Sequence, residues 1–265
     1  MPISLAIAGV AGRMGRRIAA LALADADFQL TQALEYPGHP GFQKPLRDLD
    51  PTLDSDVLLG CNLESGADVL IDFSTPDGVV ARSGEVVGRG MAFVVGTTGL
   101  TVGQQAAVNL AAITVPVIHA SNYSLGVNLL FRIAGEVAKA LGDGFDIEIV
   151  EAHHNQKADA PSGTALSLAA SICEATGRDR DRDLRHGRSG RPGPRMKGEI
   201  GMHALRMGSV VGDHTVHFAS KFERVEITHR AESRDVFAAG ALRAARWLVG
   251  RAPGLHTMQE VLFSE

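Results

Sequence analysis

Ile3-Ser4-Leu5-Ala6-Ile7-Ala8-Gly9-Val10-Ala11-Gly12-Arg13-Met14-Gly15 decides the first half of the fold. Ile3–Ala8 is a continuous apolar run of strand length, the pattern of a strand buried on both faces. It stops at Gly9, and Met14–Ala24 has the Ala- and Leu-rich character of a helix. Glycines between a strand and a helix let the backbone turn sharply, let a pyrophosphate approach the main chain, and let the helix pack on the sheet. The free N–H groups at the helix start, and its positive dipole end, then face the phosphates. The spacing is G-x-x-G-x-x-G and not the strict G-x-G-x-x-G, so the turn by itself is also compatible with a plain Gly-rich corner. Glu35 is the second observation. It lies 20 residues beyond Gly15, at the end of the strand-like run Phe28–Leu34, where a carboxylate accepts from ribose hydroxyls.

Working outward, Val69–Phe73, Ala92–Val95 and Val115–His119 are further short apolar runs. Helices alternate with them: Pro76–Gly88, opened by Ser74, Thr75 and Pro76, and Val102–Ala112, capped by Thr101. Repeated strand–helix–strand units imply a parallel sheet with right-handed crossovers. Gly96-Thr97-Thr98-Gly99 and Ala120-Ser121-Asn122-Tyr123 follow two of these strands, on the edge where open α/β sheets bind ligands. Both loops could contact a nicotinamide half; ordinary turn chemistry is the plainer alternative.

After about Leu125 the texture changes. A long helix, Leu125–Leu141, leads to the strand Asp146–Glu151, and a helix spans about Ser162 to Ala175. Glu199–Met207, His214–Ala219 and Arg224–Thr228 alternate polar and apolar residues, as strands with one wet face do. Asp235–Val249 reads as a last helix that could return to the first domain, and Leu255–Phe263 as a final strand. The fold expected is α/β: a Rossmann-type parallel-sheet domain plus a second α+β domain with a mixed sheet.

Composition excludes several classes of function. With 265 residues, 28.0 kDa and 45% hydrophobic residues, there is ample material for a core and global disorder is ruled out. A mean hydropathy of +0.05, with charges throughout, leaves no apolar window of membrane-spanning length, so no membrane partner is expected. A net charge of −4 and a pI near 6.2 speak against nucleic acid as a partner. Only Cys61 and Cys173 are present, too few for a disulfide framework, which favours a reducing compartment. Residues 1–8 lack the pattern of a signal peptide, and a cytoplasmic location is expected.

The densest cluster of functional groups is Glu151-Ala152-His153-His154-Asn155-Gln156-Lys157-Ala158-Asp159-Ala160-Pro161-Ser162-Gly163-Thr164-Ala165, which leaves a strand and enters a helix. Pro161–Thr164 would present backbone N–H groups and hydroxyls to a substrate carboxylate. Lys157 offers a cation and a proton, and His153 and His154 can carry charge or exchange protons near neutral pH. Asp159 is expected to cap the helix. Adjacent histidines without a second spaced pair fit zinc patterns poorly, so no metal is expected. Arg178–Lys197 holds seven Arg interleaved with Asp179, Asp181 and Asp183, and reads as a solvated, mobile surface loop. Arg224, His229 or Arg234 could reach a site or form structural ion pairs.

The run EAHHNQKADAPSGTA resembles the signature of the 4-hydroxy-tetrahydrodipicolinate reductase (dihydrodipicolinate reductase) family of the diaminopimelate and lysine pathway. GVAGRMG, GTTG and ERVEITHRAESR (Glu223–Arg234) resemble that family too, in its order, over essentially the whole chain. The resemblance implies His153 as the acid/base histidine, Lys157 as the proton donor and His154 as a substrate contact, with Gly163 and Thr164 holding a carboxylate of a cyclic dicarboxylate. It implies that Gly9, Val10, Ala11, Gly12, Arg13, Met14, Glu35, Gly96, Thr97, Thr98, Ala120, Ser121, Asn122 and Tyr123 line the dinucleotide. It further implies a dinucleotide-binding domain of residues 1–124 and 234–265, a substrate-binding and oligomerisation domain of residues 125–233, and a homotetramer built through the second domain's sheet. The cofactor would be NADH, NADPH or both. Family members that use NADPH well often carry Arg after the ribose-binding acid; here Tyr36 follows Glu35, which favours NADH, although Arg13, Arg16 or Arg17 could attract a 2′-phosphate. Rival readings are another two-domain NAD(P)-dependent enzyme of amino-acid dehydrogenase type, and a non-catalytic dinucleotide sensor. Neither has an evident need for His-His-x-x-Lys followed by Pro-Ser-Gly-Thr.

Overall fold

Ile3–Ala8 forms β1, and the glycine turn carries the chain into α1 (Arg13–Leu23) and β2 (Phe28–Leu34) of the computed structural model, which describes residues 1–264. There follow a short helix α2 (Leu46–Leu49), a two-residue β3 (Leu59–Gly60), β4 (Val69–Asp72), α3 (Pro76–Arg89), β5 (Ala92–Val95), α4 (Val102–Ala111) and β6 (Pro116–His119). The local signals explain the helix starts. Thr75 Oγ1 accepts from the Gly78 N–H at 3.2 Å, with Pro76 as the first helical residue. Thr101 and Gln104 form a reciprocal capping box.

Next come α5 (Leu125–Leu141), β7 (Asp146–His153), α6 (Gly163–Thr176), α7 (Arg180–Asp183), β8 (Leu184–His186), β9 (Ile200–Arg206), β10 (Gly212–Ala219) and β11 (Arg224–Ala231). The chain ends with α8 (Asp235–Leu248), β12 (Gly254–His256) and α9 (Met258–Phe263). Two compact units result: Met1–Leu125 together with the chain from Arg234 onward, and Gly126–Ser233.

The first unit contains a seven-stranded sheet in the order β12-β6-β5-β4-β1-β2-β3, every pair parallel. Alternate residues of one strand serve opposite faces. Leu5 and Ile7 pack with Ile18 of α1 and Ala241 of α8, whereas Ala6 and Ala8 pack with Val79 of α3 and Val108 of α4. Helices cover both faces, which is why a central strand such as β5 reads as an unbroken apolar run. The second unit has a five-stranded mixed sheet in the order β11-β10-β7-β9-β8. Here β10 runs antiparallel to β7 and β11, and β9 runs parallel to β7 and β8. Ile147, Ile149, Val216 and Phe218 line the face covered by Leu130 and Ala134 of α5 and Leu168 and Ile172 of α6. Among the described residues no helix is long and apolar enough to cross a membrane.

Two expectations need correction. Leu255–Phe263 is not one strand: β12 ends at His256, and Thr257 then starts α9. The cause is a second capping box, in which Thr257 Oγ1 accepts from the Glu260 N–H and Glu260 Oε2 accepts from the Thr257 N–H at 2.7 Å. Nor is Arg178–Lys197 simply a solvated loop. It contains α7 and β8, and two of its arginines are tied to acids of the mixed sheet. Arg188 donates to both oxygens of Glu148 at 3.0 and 2.8 Å, and Arg195 donates to Glu148 at 3.0 Å and Asp146 at 2.9 Å. Those ion pairs pull Glu148 down to about 2, although its partial burial acts the other way.

Candidate active site

In the first unit the glycine turn is built by backbone. Gly9 sits at φ +74°, and a Cβ there would lie 2.6 Å from the Phe73 carbonyl oxygen at the end of β4. A Cβ on Gly15 would meet the Gly9 carbonyl and lie 2.6 Å from Val10 Cα, so glycine is what lets α1 close on the turn. Gly12 precedes α1 in extended conformation with no side-chain cap, and the first turn of α1 carries no acid. The first turn of α1 therefore brings no cap or acid of its own to the positive end of the helix. A cavity of about 770 Å³ opens here, lined by Gly9, Ala11, Gly12, Glu35 and Tyr36 among others. The Ala11 N–H donates to Glu35 Oε1 at 2.8 Å, which fixes the carboxylate beside the turn.

Of the other residues expected around the nucleotide, Val10 and Met14 face the core and Arg13 is exposed. Gly96, Thr97 and Thr98 follow β5 and Ala120–Tyr123 follow β6, outside the lining of that cavity. Thr97 is buried, and its hydroxyl donates to Asp72 Oδ1 at 3.0 Å. The Tyr123 side chain turns inward and donates to the Val95 carbonyl at 2.8 Å, so the phenol ties β6 to β5. Ser121 is exposed, and Asn122 Oδ1 accepts from the Ser124 N–H. Of the three arginines expected to attract a 2′-phosphate, Arg16 and Arg17 are engaged elsewhere, whereas Arg13 is exposed. Arg17 forms a two-pronged pair with Asp235 at 2.6 Å, and Arg16 donates to the Ala11 carbonyl at 2.9 Å. Arg82, which lines the cavity, is buried against Glu85 and the Cys61 carbonyl.

In the second unit the functional groups are side chains held in a buried network. On β7 the alternation puts Ile147, Ile149, Glu151 and His153 on one face. Glu151 is fully buried and its carboxylate is four times hydrogen bonded. Arg206 donates from both terminal nitrogens at 2.8 Å, the Ser162 N–H donates at 3.0 Å, and His153 Nδ1 lies at 2.6 Å. Burial by itself would raise this carboxyl; the bonds from Arg206, His153 and Ser162 outweigh it and leave Glu151 below its usual range. His214 of β10 stands edge-on to His153, ring centres 5.2 Å apart, with Nε2 3.2 Å from Ser162 Oγ. Burial, and then the neighbouring His153, push His214 down to about 3.

The chain leaves β7 through His154, Lys157 and Asp159. Lys157 Nζ pairs with Asp159 Oδ1 at 2.8 Å, and that bond holds Asp159 below its ordinary value. Asp159 does not cap α6. Ser162 stands next to the first helical residue, and its Oγ accepts from the Ala165 N–H at 3.1 Å, a bond Asp159 is too far upstream to make. Gly163 is exposed at the start of α6, and a Cβ there would meet open space. Arg224 pairs with Glu226 at 2.7 Å on exposed β11, the His229 ring packs on Gly126, and Arg234 is exposed ahead of α8. Among the described residues no group of three His, Cys, Asp or Glu gathers as a metal site.

Arg206 and His214 join this network without having been singled out in the sequence. They are brought in by register: His153 pairs with Arg206 across β7–β9, and Glu151 with His214 across β7–β10. A buried carboxylate clamped by arginine beside an imidazole, followed by a paired lysine and an open helix start, suits anion binding and proton transfer.

The dihydrodipicolinate reductase N-terminal family model matches residues 3–123, and the C-terminal model residues 126–262. The 4-hydroxy-tetrahydrodipicolinate reductase of Myxococcus xanthus is 47% identical over 265 residues, covering 98% of this chain and 97% of that one. The enzyme of the same name from Magnetococcus marinus is 45% identical, covering 99% of both. Among solved structures, a dipicolinate-bound dihydrodipicolinate reductase from Paenisporosarcina sp. TG-14 superposes with a TM-score of 0.77 at 25% identity, covering 97% of this chain and 98% of that one. The likeness to GenD2 of gentamicin A biosynthesis, with a TM-score of 0.62 at 14% identity over 98% of this chain and 90% of that one, is one of fold. With both halves matched in order and close to half of all positions identical to a full-length relative, this chain belongs to the dihydrodipicolinate reductase family.

Proposed function

We propose that this chain reduces 4-hydroxy-tetrahydrodipicolinate to tetrahydrodipicolinate with NAD(P)H, in diaminopimelate and lysine biosynthesis, as a cytoplasmic homotetramer. The observation that carries the reading is the segment Glu151–Ala165, in which acid, base, cation and helix start follow one another, in a chain of this family. The substrate is a cyclic dicarboxylate carrying a conjugated imine once its hydroxyl has left as water. Hydride and a proton enter; NAD(P)⁺ and water leave.

The glycine turn fits a nicotinamide dinucleotide: Gly9 and Gly15 leave no room for a Cβ, the start of α1 lacks a side-chain cap, and Glu35 borders the adjoining cavity. When bound, that cofactor supplies a hydride from C4 of its reduced ring. The main chain of Gly9–Gly12 receives the phosphates, and Glu35 accepts from the ribose hydroxyls. Gly96–Thr98 and Ala120–Tyr123 border the nicotinamide half, largely through their main chain. Gly163 and Thr164 bind a substrate carboxylate at the start of α6, and His154 contacts the ring. Lys157, or protonated His153, delivers the proton to the enamine left by hydride addition, and their charges steady the dianionic substrate as electrons shift. NADH is the better donor, because Glu35 repels a 2′-phosphate, Tyr36 adds no charge, and Arg16, Arg17 and Arg82 already have partners, which leaves Arg13 to meet one.

The test is loss of nicotinamide absorbance with the purified protein and substrate made in situ by a synthase from pyruvate and aspartate semialdehyde. NADH and NADPH are run side by side. Rapid oxidation, faster with NADH at equal concentration, is the expected result. Dinucleotide binding without oxidation of either donor would contradict the activity, and a lower KM for NADPH would contradict the preference.

A further inference from the structure

Glu151 is fully buried, yet none of the proton-transfer steps above uses it. An ionised carboxylate is costly to bury unless it is paired and hydrogen bonded, and here every bond it accepts comes from a functional or framework group. Arg206 reaches it from β9, the residue before α6 donates its N–H, and His153 lies two positions along the same strand.

We infer that Glu151 is a positioning residue for the reduction: it accepts the Nδ1 proton of His153 and so leaves Nε2 as the nitrogen that exchanges a proton with substrate, while Arg206 keeps the carboxylate ionised. The inference rests on His153 acting as the acid/base group.

The chemistry follows from donor counting. An ionised carboxylate can only accept, so at 2.6 Å the proton between the two groups belongs to Nδ1, and a neutral imidazole has only one N–H. Nε2 is then the lone-pair nitrogen in the base form and the N–H donor in the acid form. Space is kept on that side of the ring: a Cβ on Gly212 would lie 3.1 Å from His153 Nε2, a tight contact that glycine avoids. Glu151 is unsuited to give the proton itself, because protonation would disrupt the two-pronged bond from Arg206. His214 is buried edge-on to the His153 ring and neutral near pH 7, so it adds no competing charge. The charged and titratable groups facing His153 are thus Glu151 on β7, Arg206 on β9 and His214 on β10, with His229 on β11 and Lys157 beyond β7 acting on His214.

The experiment is a kcat pH profile of the full-length wild-type enzyme, Glu151→Gln, Glu151→Asp and His153→Ala, with dinucleotide affinity measured on each. Glu151→Gln is expected to lower kcat roughly tenfold or more while leaving dinucleotide affinity within about twofold. It should also shift the limb set by His153 to lower pH, because the imidazolium loses its anion. Glu151→Asp keeps the charge and should return the limb towards its wild-type position, with partial kcat. Should Glu151→Gln fail to fold, ¹⁵N NMR of the wild-type imidazole, identified by its loss in His153→Gln, still decides. A neutral ring protonated at Nδ1 is expected, and one protonated at Nε2 would overturn the inference. If His153→Ala loses kcat while Glu151→Gln keeps both kcat and the limb, the role of Glu151 alone is overturned. If His153→Ala keeps kcat, the acid/base reading beneath it falls first.

Discussion

In the parallel-sheet unit the candidate nucleotide cradle is main chain: three glycines, an uncapped helix start, and one carboxylate held by the Ala11 N–H. In the mixed-sheet unit the candidate proton-transfer segment is side chain, with Glu151, Arg206, His153 and Ser162 joined through a single buried carboxylate. A backbone site fails when an atom is added, because there is no space. A charged network fails when an atom is removed, because the partner left behind is buried and unpaired. The two units should therefore respond oppositely to the same kinds of substitution, and the difference can be measured.

The largest effect is expected from Glu151→Ala, which takes the carboxylate from the Arg206 guanidinium and leaves it only the Leu205 and Asp159 carbonyls. A loss of about 3–5 kcal/mol is expected in chemical denaturation, from the cost of breaking a buried pair. Replacing both groups, Glu151→Leu with Arg206→Met, should recover most of that stability and none of the turnover. A double variant as unstable as the single one would show that the pair is not the source of the loss.

In the first unit, Gly15→Ala and Gly9→Ala should each cost about 1–3 kcal/mol from overpacking and should weaken dinucleotide binding. Gly84→Ala and Gly88→Ala, in α3 where a Cβ meets nothing, should instead stabilise by about 0.5–1 kcal/mol. Equal effects at the four positions in thermal unfolding would remove the steric account of the turn.

Acid sharpens the contrast next. His214 is pushed down to about 3 in the folded chain against an ordinary imidazole value of 6.5, so below pH 6.5 the unfolded chain binds a proton that the folded one does not. Stability is then lost as pH falls through that window, by at most about 2 kcal/mol between pH 7 and 5. His214→Gln should flatten this slope. Glu148, at about 2 when folded against 4.5, adds a further loss from about pH 4.5 downward. In the parallel-sheet unit the buried Asp72 has the opposite sign: burial raises its carboxyl, so protonation favours its folded form. The smallest effect is Thr257→Ala, which should cost about 1 kcal/mol and loosen only α9, as amide exchange would show.

Much of the fold was legible because its elements are set locally. Ile3–Ala8, Ala92–Val95 and Leu125–Leu141 follow directly from apolar runs and helical spacing. β3 was not, since two residues carry no pattern and Leu59–Gly60 is a strand only by pairing with β2. β8 was hidden in the basic tract for the same reason, as its partner β9 lies beyond the tract. The candidate site divides similarly. His153, Lys157 and the helix start at Ser162 are neighbours in sequence, whereas Arg206 and His214 reach Glu151 only through sheet register. Asp159 reads as the cap because two side chains of capping type precede α6, and it is Ser162 that makes the bond.

The central claim is that the glycine-turn unit binds the hydride donor while the Glu151–Ala165 segment manages the proton. The most direct measurement is kcat alongside the NADH dissociation constant for His153→Ala and Lys157→Ala. The account predicts kcat reduced by about 10²-fold or more with NADH affinity unchanged. Wild-type kcat in both variants, or a loss that tracks NADH affinity, would contradict it.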